Sequence, residues 1–102
     1  MLRYIFHAQI KKGEFRQFFA AFQKWDAIRR ERGDAATRLF SPFVGRVNSV
    51  MLMADFDSLT AYQAESDRLA DDPEVMAARR EMTEAVDPAV GAHDELWEAE
   101  NG

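Results

Sequence analysis

The two histidines are the side chains best suited to move a proton or bind a metal. His7 lies in an apolar run near the start, and His93 lies near the end, two residues before Glu95. Alternate residues of a strand share a face, so His93 and Glu95 are predicted neighbours that could orient a proton or hold a metal. Two ligands fall short of a typical metal site. We therefore expect no metal, and a solvated role for His93.

The sequence leaves two interpretations of His7 open. On a strand face that lines a ligand site, it could act as a general base or as a haem ligand. The simpler interpretation is a hydrogen-bonded histidine of the interior or of an interface. No cofactor is predicted, because the chain has no glycine-rich phosphate loop, no EF-hand or zinc motif, and no cysteine.

Four large side chains on predicted strands could form the apolar part of a binding site: Phe40, Met51, Met53 and Trp97. Methionine adapts to irregular ligands, and tryptophan suits the rim of a site that is half apolar and half wet. Packing at a subunit interface explains the two methionines equally well. Trp25 differs from Trp97, since it continues a stripe of phenylalanines and is predicted to lie in the core.

Composition limits the classes of function. The 102 residues are predicted to form one domain, 1–102, and 47% hydrophobic content is typical of a globular protein. No apolar run reaches the length of about 20 residues that a membrane span needs. The net charge of −5 argues against a nucleic-acid partner. Because the start lacks a secretory pattern, we expect a cytoplasmic protein.

The charge is divided between the two halves of the chain. Residues 1–46 carry ten Lys and Arg against four Asp and Glu, whereas residues 47–102 carry three against fourteen. The basic half could form an anion-binding patch. The simpler prediction is that the two halves attract each other within the fold or across a subunit contact.

The apolar pattern predicts six elements in the order strand, helix, strand, strand, helix, strand. Phenylalanines at helical spacing mark the first helix, and an Asp-Asp-Pro-Glu sequence at 71–74 divides the second helix into two pieces. Pro42 makes the second strand an edge or bulged strand. The predicted ranges are strands 2–10, 36–44, 48–56 and 92–98, and helices 14–32, 59–69 and 73–86.

This order is the ferredoxin-like βαββαβ arrangement, an α+β fold with an antiparallel four-stranded sheet and two helices on one face. The strands carry apolar residues on both faces, for example Val50 and Leu52 on one and Met51 and Met53 on the other. No sequence remains to cover the second face. We therefore predict a homodimer in which two sheets pack face to face.

Three blocks of sequence carry a family resemblance: Gly45–Val50, Phe56–Tyr62 and Leu69–Glu74. With the element order, they resemble the dimeric α+β barrel proteins, and NIPSNAP-like chains in particular. Val75 stands where this family often has an aromatic residue. The resemblance implies the dimeric barrel fold but no catalytic residues, since NIPSNAP-like proteins share no agreed catalytic set. Asn48 is similar to an Asn that some barrel monooxygenases use without a cofactor, although a turn residue is the default.

The sequence is compatible with three functions. The preferred one is a homodimer that binds an apolar or aromatic small molecule between its sheets, with His7, Phe40, Met51, Met53 and Trp97 as ligand-binding residues. The second is a cofactor-independent monooxygenase or haem-handling enzyme of the antibiotic-biosynthesis monooxygenase type, with His7, Asn48 and Trp97 as catalytic candidates. The third is a non-catalytic interaction module whose barrel is filled by side chains.

Overall fold

A computed structural model describes residues 1–101 of the chain. The elements follow one another as β1 (Leu2–Gln9), α1 (Phe15–Glu31), β2 (Thr37–Phe40), β3 (Ser49–Phe56), α2 (Leu59–Ala70), α3 (Pro73–Glu84) and β4 (Ala92–Glu98). The strands form one antiparallel sheet in the order β2-β3-β1-β4. The predicted ferredoxin-like layout is confirmed, with the second helix present as α2 and α3.

Helix boundaries follow from capping side chains. The Ser58 hydroxyl accepts a hydrogen bond from the Ala61 amide at 3.1 Å and begins α2. Asp72 accepts hydrogen bonds from the amides of Glu74 and Val75, and Pro73 occupies the first position of α3. Gly33 has φ +78° and ends α1, as expected for a residue that tolerates the left-handed region.

The second strand is shorter than the sequence predicts. It was expected over 36–44 but ends at Phe40, and residues 41–48 form a loop. Pro42 has no amide hydrogen to continue the ladder, and Gly45 takes φ +153°. The prediction that this strand lies at an edge of the sheet is correct.

The core lies between the helices and one face of the sheet. Its main cluster joins Phe18 and Phe22 of α1 to Val50 and Leu52 of β3, and Trp25 packs against it. Phe19 belongs to the phenylalanine stripe that predicts the first helix and its buried face, but it is 40% exposed and stacks on Phe15 with ring centroids 6.4 Å apart. It lies one residue round from Phe18, at the margin of the apolar stripe.

The predicted attraction between the basic and acidic halves is present within the chain. Arg29 of α1 pairs with Glu65 of α2 at 3.0 Å, and both side chains are buried. Arg32 pairs with Asp72 and Glu74 at the start of α3. These pairs tie α1 to the two later helices. None of the helices in residues 1–101 is long and apolar enough to cross a membrane.

Candidate functional site

The strand register divides the sheet into a helix-covered face and an open face. On the open face, Phe40, Met51, His7 and His93 lie in one row across the four strands. The next row is Arg38, Met53, Ile5 and Glu95, and the third is Asp55, Arg3 and Trp97. Every candidate ligand residue predicted from the sequence therefore lies on this face, because these residues occupy alternate positions of their strands in matching register.

Glu95 is the centre of a hydrogen-bonded cluster on the open face. His7 Nε2 lies 3.1 Å from Glu95 Oε1, and Trp97 Nε1 donates to the same oxygen at 3.2 Å. A carboxylate only accepts hydrogen bonds, so the contact assigns a proton to Nε2 of His7. The hydrogen bonds from Trp97 and then His7 lower the pKa of Glu95 below its usual value. Glu95 is thus held as a carboxylate.

His93, which lies on β4 with Glu95 and Trp97, completes the cluster. It pairs with His7 across β1 and β4, and the two imidazole rings stack with centroids 4.6 Å apart. Its Nε2 lies 3.7 Å from Glu95 Oε2. The His93 side chain is 64% exposed, in line with the predicted solvated position, while those of His7 and Glu95 are 36% exposed.

A cleft of about 600 Å³ lies at the His7 end of the open face. His7, Phe40 and Met51 line it, together with His93 and Arg46. Met53 and Trp97 lie on the same face but outside the cleft. Trp97 is connected to it through Glu95, which contacts the cleft residue His7. The cleft therefore combines apolar side chains with two imidazoles and one guanidinium group.

Asn48 has a structural position. It takes φ +62° in the turn before β3, and its carbonyl accepts a hydrogen bond from the Ile10 amide at 2.8 Å. Asparagine is one of the few residues that tolerate this conformation. It does not belong to the residues that line the cleft, so the default interpretation as a turn residue fits the structure.

The loop at 41–48 exposes apolar side chains beside the cleft. Phe43 is fully exposed, Val44 is 89% exposed and Val47 is 76% exposed. Pro42 and Arg46 of the same loop line the cleft. Three exposed apolar side chains therefore lie close together in the chain, in the loop that adjoins the cleft.

A second cavity, of about 530 Å³, lies between the sheet and the helices. Tyr4, Tyr62, Arg79 and Asp94 are among its lining residues, and the Tyr4 and Tyr62 rings stack at 5.7 Å. Burial, with the nearby Asp94 carboxylate, raises the pKa of Tyr4 well above its usual value. Sequence reasoning missed this cavity, although an acid at an alternate position of β4 was a signal for a polar group on the helix-covered face.

Comparison with known proteins places the chain in a family. The NIPSNAP family model matches residues 7–89. A search of curated proteins finds no significant match.

Solved structures of similar fold include other NIPSNAP proteins. An uncharacterized NIPSNAP domain protein from Burkholderia xenovorans has a TM-score of 0.79 at 20% identity, over 97% of this chain and 94% of that one. A NIPSNAP family protein with unknown function from Agrobacterium tumefaciens has a TM-score of 0.77 at 16% identity, over 95% and 86%. A variant of SnoaB, a cofactor-independent oxygenase from Streptomyces nogalater, has a TM-score of 0.73 at 13% identity, over 99% and 94%. The fold is thus shared with oxygenases, and the family match shows that this chain belongs to the NIPSNAP family.

Proposed function

We propose that this protein is a homodimer that binds a small apolar or aromatic molecule between the open faces of its two sheets. The observation that carries the proposal is the cleft on the open face, which has about 600 Å³ and is lined by Phe40, Met51 and His7. Ligand sites in proteins have volumes of about 300–1,000 Å³ and combine apolar walls with a few polar groups. A second sheet would turn the open cleft into an enclosed space.

The apolar surfaces beside the cleft support a second copy of this chain as the partner. Phe40 and Trp97 are exposed on the open face, and Phe43, Val44 and Val47 project from the adjoining loop. Pro42 and Arg46 of this loop line the cleft together with Phe40, so the loop adjoins that end of the open face. In a symmetric dimer the same patch lies on both subunits, so each loop could cover the face of the other.

The lining chemistry indicates the class of ligand. Phe40 and Met51 offer an aromatic ring and a polarisable thioether to an apolar or aromatic molecule. His7, His93 and Arg46 also line the cleft and can bind one hydrogen-bonding or acidic group of the ligand. We therefore expect a small aromatic compound with a single polar substituent.

Native mass spectrometry of the freshly purified protein tests both parts of the proposal. We expect twice the denatured mass of the chain, with additional non-covalent mass. A monomer would refute the dimer, and a dimer without extra mass would leave the ligand to be tested with a probe.

The probe is 1-anilinonaphthalene-8-sulfonate, an aromatic anion whose fluorescence rises in apolar sites. Phe40→Ala should weaken its binding by about tenfold, the loss expected for an aromatic contact in a binding site. Tyr62→Leu, which changes the helix-side cavity, is the matched control and should leave binding unchanged. The reverse result would place the ligand between sheet and helices, and no binding to the wild-type protein would favour a barrel filled by side chains.

A second candidate function is oxygenation of an aromatic substrate without a cofactor. It is supported by the likeness in fold to SnoaB and by the hydrogen bond between His7 and Glu95 at the cleft. His7 is the candidate base, Trp97 acts through Glu95, and Asn48 lies in the turn. Oxygen uptake with an electron-rich naphthol should require His7. If His7→Ala keeps its fold and full uptake, His7 is not the base.

A further inference from the structure

The cluster on the open face has the composition of a metal site. His7, His93 and Glu95 come from two adjacent strands, and one ligand atom from each, an imidazole nitrogen or a carboxylate oxygen, lies within 4.8 Å of the other two. From the sequence only His93 and Glu95 were expected to meet. The pairing of β1 with β4 adds His7 as a third donor.

We infer that His7, His93 and Glu95 form a binding site for a divalent first-row transition-metal ion such as Zn²⁺. Because a ligating imidazole nitrogen carries no proton, the ion takes the place of the proton on His7 Nε2, and the ring then carries its proton on Nδ1. Two imidazoles and one carboxylate are a donor set that zinc and iron accept, whereas Mg²⁺ and Ca²⁺ prefer oxygen donors. The site goes beyond the proposed function and does not depend on it, because one chain supplies all three ligands.

The distances are close to those that a bound ion requires. Ligand atoms bound at about 2.0 Å in a tetrahedral site lie about 3.3 Å apart. His7 Nε2 lies 3.1 Å from Glu95 Oε1, and His93 Nε2 lies 3.7 Å from Oε2, the other oxygen of the same carboxylate. The planes of the two stacked imidazole rings are nearly parallel, so their nitrogen lone pairs do not converge on one ion. One ring therefore has to rotate toward the other. His93 is free to do so, because its side chain is mostly exposed.

The surroundings support a defined site. Trp97 donates to Glu95 Oε1 and so orients the carboxylate, as outer hydrogen bonds do around many metal ligands. The backbones of His7 and His93 are fixed by the strand ladder. Three protein ligands leave a coordination position open, and His7 and His93 both line the cleft. A bound ion would therefore present its open position to a molecule in the cleft.

Calorimetric titration of the untagged, full-length protein with ZnCl₂ tests the inference. We expect one Zn²⁺ per chain and no binding of Mg²⁺ under the same conditions. His93→Ala and Glu95→Gln should each weaken Zn²⁺ binding by at least about tenfold, a loss that even outer-shell changes can cause. The expected retention of fold by these variants is checked by circular dichroism.

Glu98→Gln is the matched control. It makes the same change of charge in the same strand, but at an alternate position that belongs to the other face. Its Zn²⁺ affinity should equal that of the wild-type protein. Failure of the wild-type protein to bind Zn²⁺ at about 100 µM, or a loss below tenfold in the folded His93→Ala variant, would leave only a hydrogen-bonded cluster and overturn the metal site. Either result would leave the test of the aromatic ligand unaffected, since Phe40 is not a metal ligand.

Discussion

The two faces of the sheet are built from the same strands but end in different states. On the helix-covered face, Val50, Leu52 and Ala54 are each less than 5% exposed. On the open face, their neighbours Met51 and Met53 are half-buried, and Phe40 and Trp97 are exposed. The helices of the same chain cover these residues of β3, whereas the open face has apolar side chains that lack a covering layer.

The charged groups show the same contrast. Under the helices, Arg29 and Glu65 form a buried pair, to which Thr37 and the Ala35 amide add hydrogen bonds. On the open face, His7, His93 and Glu95 remain accessible. The buried pair of Arg29 and Glu65 thus stabilises the fold, whereas the cluster of His7, His93 and Glu95 on the open face is available for binding.

The largest loss of stability should follow from breaking the buried ion pair. Arg29→Met leaves the Glu65 carboxylate buried without its partner, and we expect the free energy of unfolding to fall by about 3–5 kcal/mol. Urea denaturation measures the change. The double variant Arg29→Met with Glu65→Leu removes both charges and should recover most of the loss. Equal stability of the single variant and the wild type would contradict the role of this pair.

The next effect distinguishes the two faces directly. Leu52→Ala opens a cavity in the core and should lower the free energy of unfolding by about 2–5 kcal/mol at any protein concentration. Met51→Ala changes the adjacent residue on the open face. Its cost should grow with protein concentration, because that side chain is half-buried in the single chain and is fully covered only in the proposed dimer. Urea curves at two concentrations a hundredfold apart test the difference, and a Met51→Ala cost that is the same at both would argue against an interface.

A smaller effect is expected in the exposed loop. Phe43 is fully exposed in the single chain, so Phe43→Ser should change monomer stability by less than about 0.5 kcal/mol. If the loop covers the partner's face, the same variant should weaken dimerisation by about tenfold. Sedimentation equilibrium measures the dimer constant. Leu59→Ser, an exposed apolar residue on α2, is the control and should have no effect.

The smallest effect is the response to acid. Asp55, beside Arg3, and Asp72, beside Arg32, have pKa values below their usual range, and so does Glu95. A lowered pKa in the folded state stabilises the protein above the ordinary value, and this contribution is lost as the pH falls through the folded value.

Stability should therefore decline as the pH falls below the ordinary values of 4.5 for Glu and 3.8 for Asp. The urea midpoint measured from pH 6 to pH 3 follows this loss. Asp55→Asn should make the decline shallower, whereas a midpoint that rises on acidification would contradict the ion pairs.

Much of the fold could be predicted from local signals. The alternation of Met51, Leu52 and Met53 gives two apolar faces to β3, and Asp72 with Pro73 fixes the start of α3. The site was predicted in part, because alternation alone places His93 beside Glu95. The meeting of His7 with His93 depends on the pairing of the first and last strands, a long-range contact without a local signature. Pro42 is a local signal that β2 ends early, although the predicted strand extends past it, whereas the position of Phe19 depends on packing that the sequence pattern does not specify.

We propose that a second copy of this chain covers the open face. Sedimentation velocity of two lysine variants tests this directly. Met53→Lys places a charge in the middle of that face, and Leu59→Lys makes the same change on an exposed surface elsewhere. We expect a dimer for the wild type and for Leu59→Lys, and a folded monomer for Met53→Lys, because burying an unpaired charge opposes association. A wild-type monomer, or a Met53→Lys dimer as stable as the wild type, would contradict the account.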